Sequence, residues 1–340
     1  MTVTTGEAPL AEIAETTYRQ ATTNDLPTCA AIWRASLNDY MLKLNLAEIP
    51  DDLAAIIRLY GHLVSTDPER FVLAERLDAS GSRQTVGFVS AVVREQLWFL
   101  SMLFILPEAQ GSGLGRSLLG RVMPKMSGEG AGAGPTALTT CTDSVQPISN
   151  ALYASLGMVP RMPLFRIVGL PDPRAALPPL PAGIRAIRFD EVDATSGNSE
   201  PGGDGLSRAA LDDELTALDR QTSGFEHLAD HRFIRAEGRI GFLYLGADGG
   251  PVGYGYASEA GRVGPVAVRD PALLGPVLSH LVTTVVPRGA FGIWLPGAAD
   301  DVLPPLLQAG FRIDGFPCLI CWERPIADFS RYIPISPGLL

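Results

Sequence analysis

The sequence predicts an α/β (α+β) chain built from two copies of one α/β unit. Three observations predict it. A strongly apolar run, Leu97 to Leu106, stops at Pro107, and a turn carrying Gly111, Gly113 and Gly115 leads straight into the helical pattern Leu114, Leu118, Leu119, Val122 and Met123. Pro171, Pro173, Pro178, Pro179 and Pro181 crowd one short stretch near the middle, which reads as a semi-rigid linker. The elements before that stretch are echoed, in order, after it.

Residues 1–16 form a disordered arm with no basic start and no apolar core of a secretory signal. Tyr18 to Ala21 is an opening strand, and Asp25 introduces a helix over Leu26 to Leu37. Val86 to Val89 is a strand, followed by the apolar run and its helix. After a flexible loop, Ser127 to Gly134, come a buried strand, Thr136 to Cys141, and a helix, Ser149 to Met158. Beyond the prolines, Gly183 to Arg188 parallels the opening strand, and Asp193 to Ser207 is a loose insertion. Pro251 to Tyr256 parallels the strand at Val86. Arg262 to Val268 precedes a helix-like run, Pro271 to Val285. Phe291 to Leu295 reads as a strand, and Val302 to Phe311 as a helix ending in Gly-Phe. The expected domains are 17–170 and 183–324, joined by a linker, 171–182, and followed by a tail, 325–340. Independent ancestry of the halves, with generic α/β alternation behind the echo, is the alternative.

Composition narrows the function. At 340 residues, 46% hydrophobic and 19% charged, the chain is long enough for two cores of ordinary size. Leu97 to Leu106 is about half of the ~20 residues a membrane span needs, so no membrane is expected. Cys29, Cys141, Cys318 and Cys321 are scattered and form no disulfide framework, which fits a cytoplasmic location. A net charge of -10 argues against nucleic acid. It either attracts cationic amines or serves solubility alone.

The turn after the apolar strand is built for a diphosphate. Helix N-termini carry unpaired amides and about half a positive charge. A nucleotide P-loop would need Gly at Gln110 and Lys at Arg116, and the dinucleotide G-x-G-x-x-G also fits poorly. What fits is Q-x-x-G-x-G at Gln110, Gly113 and Gly115. After a strand, that string resembles the coenzyme A signature of the GNAT superfamily of N-acetyltransferases. Leu152-Tyr153-Ala154-Ser155-Leu156-Gly157-Met158 resembles the family's closing L-Y-x-x-x-G-F, with Met158 for phenylalanine. The matches span roughly residues 17–168, and the second half resembles the degenerate copy of two-domain bacterial members.

The resemblance implies mixed, mostly antiparallel sheets with splayed central strands, and acetyl-CoA as co-substrate without a metal. It implies that Leu103, Phe104 and Ile105 pair with the pantetheine arm. The loop Gln110, Gly111, Ser112, Gly113, Leu114, Gly115 and Arg116 would hold the pyrophosphate, with Asn150 beside the cofactor. Arg116 either adds a charge contact or is a solvated helix residue. Tyr153 would protonate the leaving thiolate or, alternatively, merely pack. The acceptor would be a small-molecule or peptide amine, and the assembly a monomer or homodimer. The resemblance identifies no general base on the expected strand; the alternative is a carboxylate from elsewhere, including the second domain. Relatives use a glutamate on the strand occupied here by Leu97 to Ile105, which has none. Ser101 could hold a water, and Glu95 lies just before the strand. A non-catalytic acyl-CoA-binding regulator is therefore the alternative function.

Other residues weigh less. His227 and His231 are four apart and read as a solvated helix face without a third ligand. Cys318 and Cys321 read as core. In the second half, Arg269-Asp270-Pro271 replaces the glycines, so no coenzyme A is expected there. The apolar tail is expected to pack across both halves or onto a partner.

Overall fold

A computed structural model describes residues 15–124, 137–195 and 207–340. The expected N-terminal arm, apart from its last two residues, the 127–134 loop and most of the 193–207 insertion lie outside the described residues. The chain divides into two compact units. The first takes in the residues up to Ser90 and Met102–Met123; the second takes in Ala91–Ser101 and the residues from Pro124 on.

The first unit contains β1 (Thr17–Gln20), α1 (Leu26–Lys43), α2 (Ala54–Thr66) and β2 (Phe71–Leu77). Two long strands, β3 (Arg83–Arg94) and β4 (Leu97–Ile105), each begin or end in it, and α3 (Leu114–Val122) completes it. β1 pairs antiparallel with β2, and β2 with β3. Pro27 near the head of α1 sacrifices no helical bond, and Leu26, Cys29, Ala30 and Ile32 turn one face of that helix inward. Tyr60, Phe71, Phe88 and Phe104 pack ring to ring at centroid distances of 5.4–5.8 Å, the spacing aromatic pairs prefer. Gly87 lets β3 and β4 approach: a Cβ there would stand 3.0 Å from the Phe104 carbonyl.

The second unit continues with β5 (Ala137–Asp143), α4 (Pro147–Ala154), β6 (Val159–Gly169), β7 (Arg185–Arg188), α5 (Phe189–Thr195), α6 (Arg208–Thr222) and α7 (Leu228–Ala236). It then runs through β8 (Ile240–Leu245), β9 (Pro251–Ala257), β10 (Arg262–Val268), α8 (Leu274–Thr284) and β11 (Phe291–Pro296). α9 (Leu303–Gln308), β12 (Arg312–Ile313), β13 (Cys318–Trp322) and β14 (Tyr332–Ile333) close it. The strand order is β4-β5-β13-β6-β11-β10-β9-β8-β7. Among the described residues only β4–β5 and β10–β11 are parallel here; the sheet is otherwise antiparallel, as expected.

Two features of that order were not legible beforehand. β13, from the chain's end, lies between β5 and β6, paired antiparallel with both. β6 in turn pairs with β11 over Leu164–Gly169. Each half's closing strand therefore completes the other half's ladder. The proline-rich stretch does not hang free either. The Asp172 amide donates to the Ala309 carbonyl at 2.8 Å, and Leu177 and Leu180 pack on the core around Val277, Leu281 and Phe291.

Candidate active site

The glycine loop belongs to the first unit, between β4 and α3. Gly111 and Gly113 have φ of +75° and +79°, a region that penalises a side chain, and a Cβ at either would meet nothing within 4 Å. Gly113 caps α3 and the Ser117 amide donates back to its carbonyl, so the amides of the first turn point outward unpaired by the helix. Leu114 is buried and anchors the turn; Gly111, Ser112, Gly113 and Arg116 are exposed. The loop's own side chains hold it in shape. Gln110 Nε2 donates to the Ile105 carbonyl at 2.9 Å, as does Ser36 Oγ at 2.8 Å, and Ser112 Oγ donates to the Ala109 carbonyl. The Gln110 side chain thus ties the loop to the end of β4. Leu103, Phe104 and Ile105 are half-buried, whereas β4 up to Met102 is buried.

Sequence reasoning missed a cation at this loop. Arg76 Nη2, from β2, donates to Ser112 Oγ at 3.0 Å. Nothing local in the sequence marks Arg76, because it reaches the loop only through the fold. Nearby, Tyr18 shares a 2.7 Å hydrogen bond with Ser117, and the Arg121 guanidinium lies 3.5 Å over the Tyr18 ring. A glycine cradle open to solvent, a helix head and an adjacent guanidinium fit the diphosphate of a coenzyme A.

In the second unit the β4–β5 ladder covers Leu97–Leu100 against Ala137–Thr140. Ser101 follows directly. Its hydroxyl, though buried, donates to the Gly338 carbonyl of the tail at 2.5 Å, so its proton is committed. Glu95 sits at φ +48° in the β3–β4 turn, and about 13 Å of strand, Leu97 to Ser101, separates that turn from Ser101. Its carboxylate accepts from Arg220 at 2.5–2.8 Å and from the Glu226 amide at 3.0 Å. The Arg220 guanidinium holds it below the usual carboxylate range, which makes it a poor base.

α4 carries the other two candidates. Asn150 donates to the Asp143 and Gln146 carbonyls at 3.0 and 2.8 Å, closing the turn that starts the helix. Its Oδ1 is buried without a hydrogen-bond partner among the described residues. Tyr153 is buried, and that burial raises its hydroxyl well above the ordinary phenol range, with Ser149 hydrogen-bonding it in the other direction. It stays protonated at neutral pH. Cys318 and Cys321 are buried, as expected, and Cys318 Sγ donates to Asp143 Oδ1 at 3.2 Å.

The histidine pair corrects the sequence reading. His227 and His231 are wholly buried, not solvated, and His227 caps α7 instead of lying within it. Asp219, from α6, supplies the third group that spacing alone did not reveal. His227 Nε2 lies 3.2 Å from Asp219 Oδ1 and His231 Nε2 lies 3.0 Å from Oδ2. Tyr254 donates to Oδ1 at 2.6 Å, and Tyr256 meets His231 Nδ1 at 2.8 Å. The two imidazoles stack at 4.6 Å with planes 17° apart. Each imidazole Nε2 thus faces one oxygen of the same carboxylate, so the arrangement is a hydrogen-bonded clasp on Asp219.

Comparisons with known proteins agree with this geometry. Residues 33–158 match the acetyltransferase (GNAT) family model. A search of curated proteins returns no significant sequence match. Among solved structures, a candidate acetyltransferase from Pyrococcus horikoshii superposes with a TM-score of 0.68 at 13% identity, covering 98% of this chain and 99% of that one. A GCN5-related N-acetyltransferase from Sphaerobacter thermophilus gives 0.55 at 17% identity, over 93% and 98% of the two chains. The glucosamine N-acetyltransferase region of a fungal multi-domain β-N-acetylglucosaminidase also gives 0.55, at 13% identity, over 92% of this chain and 38% of that one. Among the described residues no helix is long and apolar enough to cross a membrane. The strand, glycine loop and helix over residues 97–122 thus lie inside the stretch, residues 33–158, that matches the acetyltransferase (GNAT) family model.

Proposed function

We propose that the chain is an acetyl-CoA-dependent N-acetyltransferase acting on a small-molecule or peptide amine. The observation that carries this is the pair of left-handed glycines, Gly111 and Gly113, opening empty space at the head of α3 directly after β4. Bound acetyl-CoA would supply the acyl group as a thioester. The amides from Gly111 to Arg116 hold the diphosphate, and Arg76 adds charge from β2. The main chain of Leu103, Phe104 and Ile105 positions the pantetheine arm. An amide there can also stabilise the developing oxyanion, a contribution of about 3–4 kcal/mol. Asn150, with its unpartnered Oδ1, stands ready to accept a donor.

Tyr153 keeps its proton for the departing sulfur. A thiol ionises near pH 8.5, well below this buried phenol, so full transfer is uphill. Its contribution is a hydrogen bond to the leaving thiolate. No carboxylate on β4 removes a proton from the amine, and an ordinary alkyl ammonium is neutral in only about one molecule in 10³ at pH 7. Amines of low pKa are therefore the favoured acceptors. The two halves, meeting at 171–182, are read as copies of one fold, the first catalytic.

The absence of a carboxylate on β4 supports a second reading, a non-catalytic acyl-CoA-binding regulator. Glu95 is ion-paired and the Ser101 proton is committed to Gly338. Incubating the protein with acetyl-CoA and a panel of amines, while following free thiol, separates the two. Amine-dependent thiol release supports the enzyme. Tight coenzyme A binding with no release supports the regulator, and no binding rejects both.

A further inference from the structure

The second half repeats the element order of the first, with α5 added after its opening strand. α6 and α7 precede β8 as α1 and α2 precede β2, and α8 follows β10 as α3 follows β4. The strand pairings repeat as well. Among the described residues β4 pairs with β5 over Leu97–Leu100, and β10 pairs with β11 at Arg262↔Gly292 and Val263↔Ile293. In both halves the parallel ladder stops while the first strand continues.

In the second half that continuing edge is taken. β14 runs antiparallel along it, with Val266 opposite Ile333 and Ala267 opposite Tyr332, and the Val268 amide donates to the Arg331 carbonyl at 3.0 Å. The fit is close. Gly264, at φ +110°, faces the tail so tightly that a Cβ would stand 2.8 Å from the Pro334 carbonyl. The Tyr332 side chain is wholly buried, its hydroxyl 3.4 Å from His227 Nε2. Beneath it lies the Asp219–His231–Tyr254 clasp, carried by α6, α7 and β9. The end of the cleft is closed too: Asp270 Oδ1 caps the Ala272 amide at 3.0 Å, and Arg331 Nη1 donates to the Arg269 carbonyl at 3.1 Å.

We propose that the second half is a peptide-binding cleft, occupied in cis by the segment Asp328–Ile335. Its main chain stands where the pantetheine arm would lie in the first half, and Tyr332 where the acceptor would enter. This assignment rests on the reading that the first half takes acyl-CoA along β4. The interaction is β-strand addition, in which main-chain bonds give affinity and a side-chain pocket gives selectivity. The ligand class is an extended peptide with a tyrosine at the buried position.

Two measurements on the full chain test it. Hydrogen exchange on the wild-type protein should show the amides of Val266, Val268 and Ile333 slowed together by at least about a thousand-fold. Coenzyme A should bind at one equivalent per chain. In Ile333→Asp the docked strand is expelled, and a fluorescent peptide spanning Ala327–Ser336 should then bind, while wild type binds none. Fast exchange of those amides in wild type, or two equivalents of coenzyme A, overturns the proposal. If Ile333→Asp does not fold, the wild-type exchange pattern decides. Failure of coenzyme A to bind at all sinks the acetyltransferase reading instead, and leaves the exchange data to judge the cleft.

Discussion

At the scale of single residues, chemistry and stability separate cleanly. Tyr153 is buried on α4 with its phenol pushed up by desolvation, so its part is to donate a hydrogen bond, not to accept a proton. Tyr153→Phe should lower turnover about 100-fold, the low end for a positioned acid, because the thiolate is a good leaving group. Coenzyme A affinity, measured by calorimetry, should change less than about twofold. Asp219 is a stability residue by contrast. It accepts from His227, His231 and Tyr254 in a wholly buried site, and His227 and His231 hold it far below the usual carboxylate range. Asp219→Asn should cost about 3–5 kcal/mol at pH 7, since it strands buried partners. The sign with pH follows from the shifts. A lowered Asp219 stabilises above its unfolded value near 3.9 and loses that as pH falls through it. His227, raised despite its burial because Asp219 faces it, contributes below about pH 6.5 and loses that as pH rises. His231 is lowered, hence neutral in both states above about 6.5, and adds no slope there. Asp230 and Arg94 pair at 2.7 Å beside the clasp. Denaturant unfolding of wild type and variant should therefore show a stability gap that narrows below pH ~4 and again above ~6.5.

At the scale of elements, the loop between β4 and α3 is where sequence and structure coincide most closely. Left-handed glycines and a helix head are local demands, and local demands are written in neighbouring residues. Gly113→Ala should weaken coenzyme A binding about tenfold, from the 1–2 kcal/mol cost of an αL alanine and the added Cβ. Arg76→Ala should weaken it by a similar factor, about tenfold, and flatten its salt dependence, because the guanidinium beside Ser112 acts through charge. Arg76 shows the limit of the same reasoning. It lies on β2, far along the chain from the loop, and only the packing of α3 against β2 brings it there. Gln110 shows a subtler limit: the motif identifies the residue, but its side chain bonds the end of β4. The histidines fail for the reason Arg76 does. Their partner Asp219 sits on the preceding helix, and burial, which changes the meaning of a His–x–x–x–His spacing, is not a local property.

At the scale of the whole chain, the echo between the halves was legible but their exchange of strands was not. Hydrophobic periodicity names a strand without naming its neighbour, and β13 lies far along the chain from the β5 residues it pairs with. Cys318 opposite Asp143 and Trp322 opposite Thr139 are long-range pairings that no spacing rule supplies. The exchange has a consequence for the proline-rich stretch. Cutting there leaves β6 without β11, and β5 without β13, so each fragment carries an unpaired sheet edge and an uncovered apolar face. The Arg94–Asp230 pair, at 2.7 Å and nearly free of solvent, would be split as well, leaving a buried charge on each side. A fragment of residues 1–182 expressed alone should therefore lack a cooperative thermal transition and bind no coenzyme A. Co-expression with residues 183–340 should restore a stable complex, because the two closing strands can re-pair in trans. Calorimetry of the fragment, the complex and the intact chain checks this. A fragment 1–182 that melts cooperatively near the intact protein's Tm would show that the exchanged strands are ornament, and that the first half folds on its own β6.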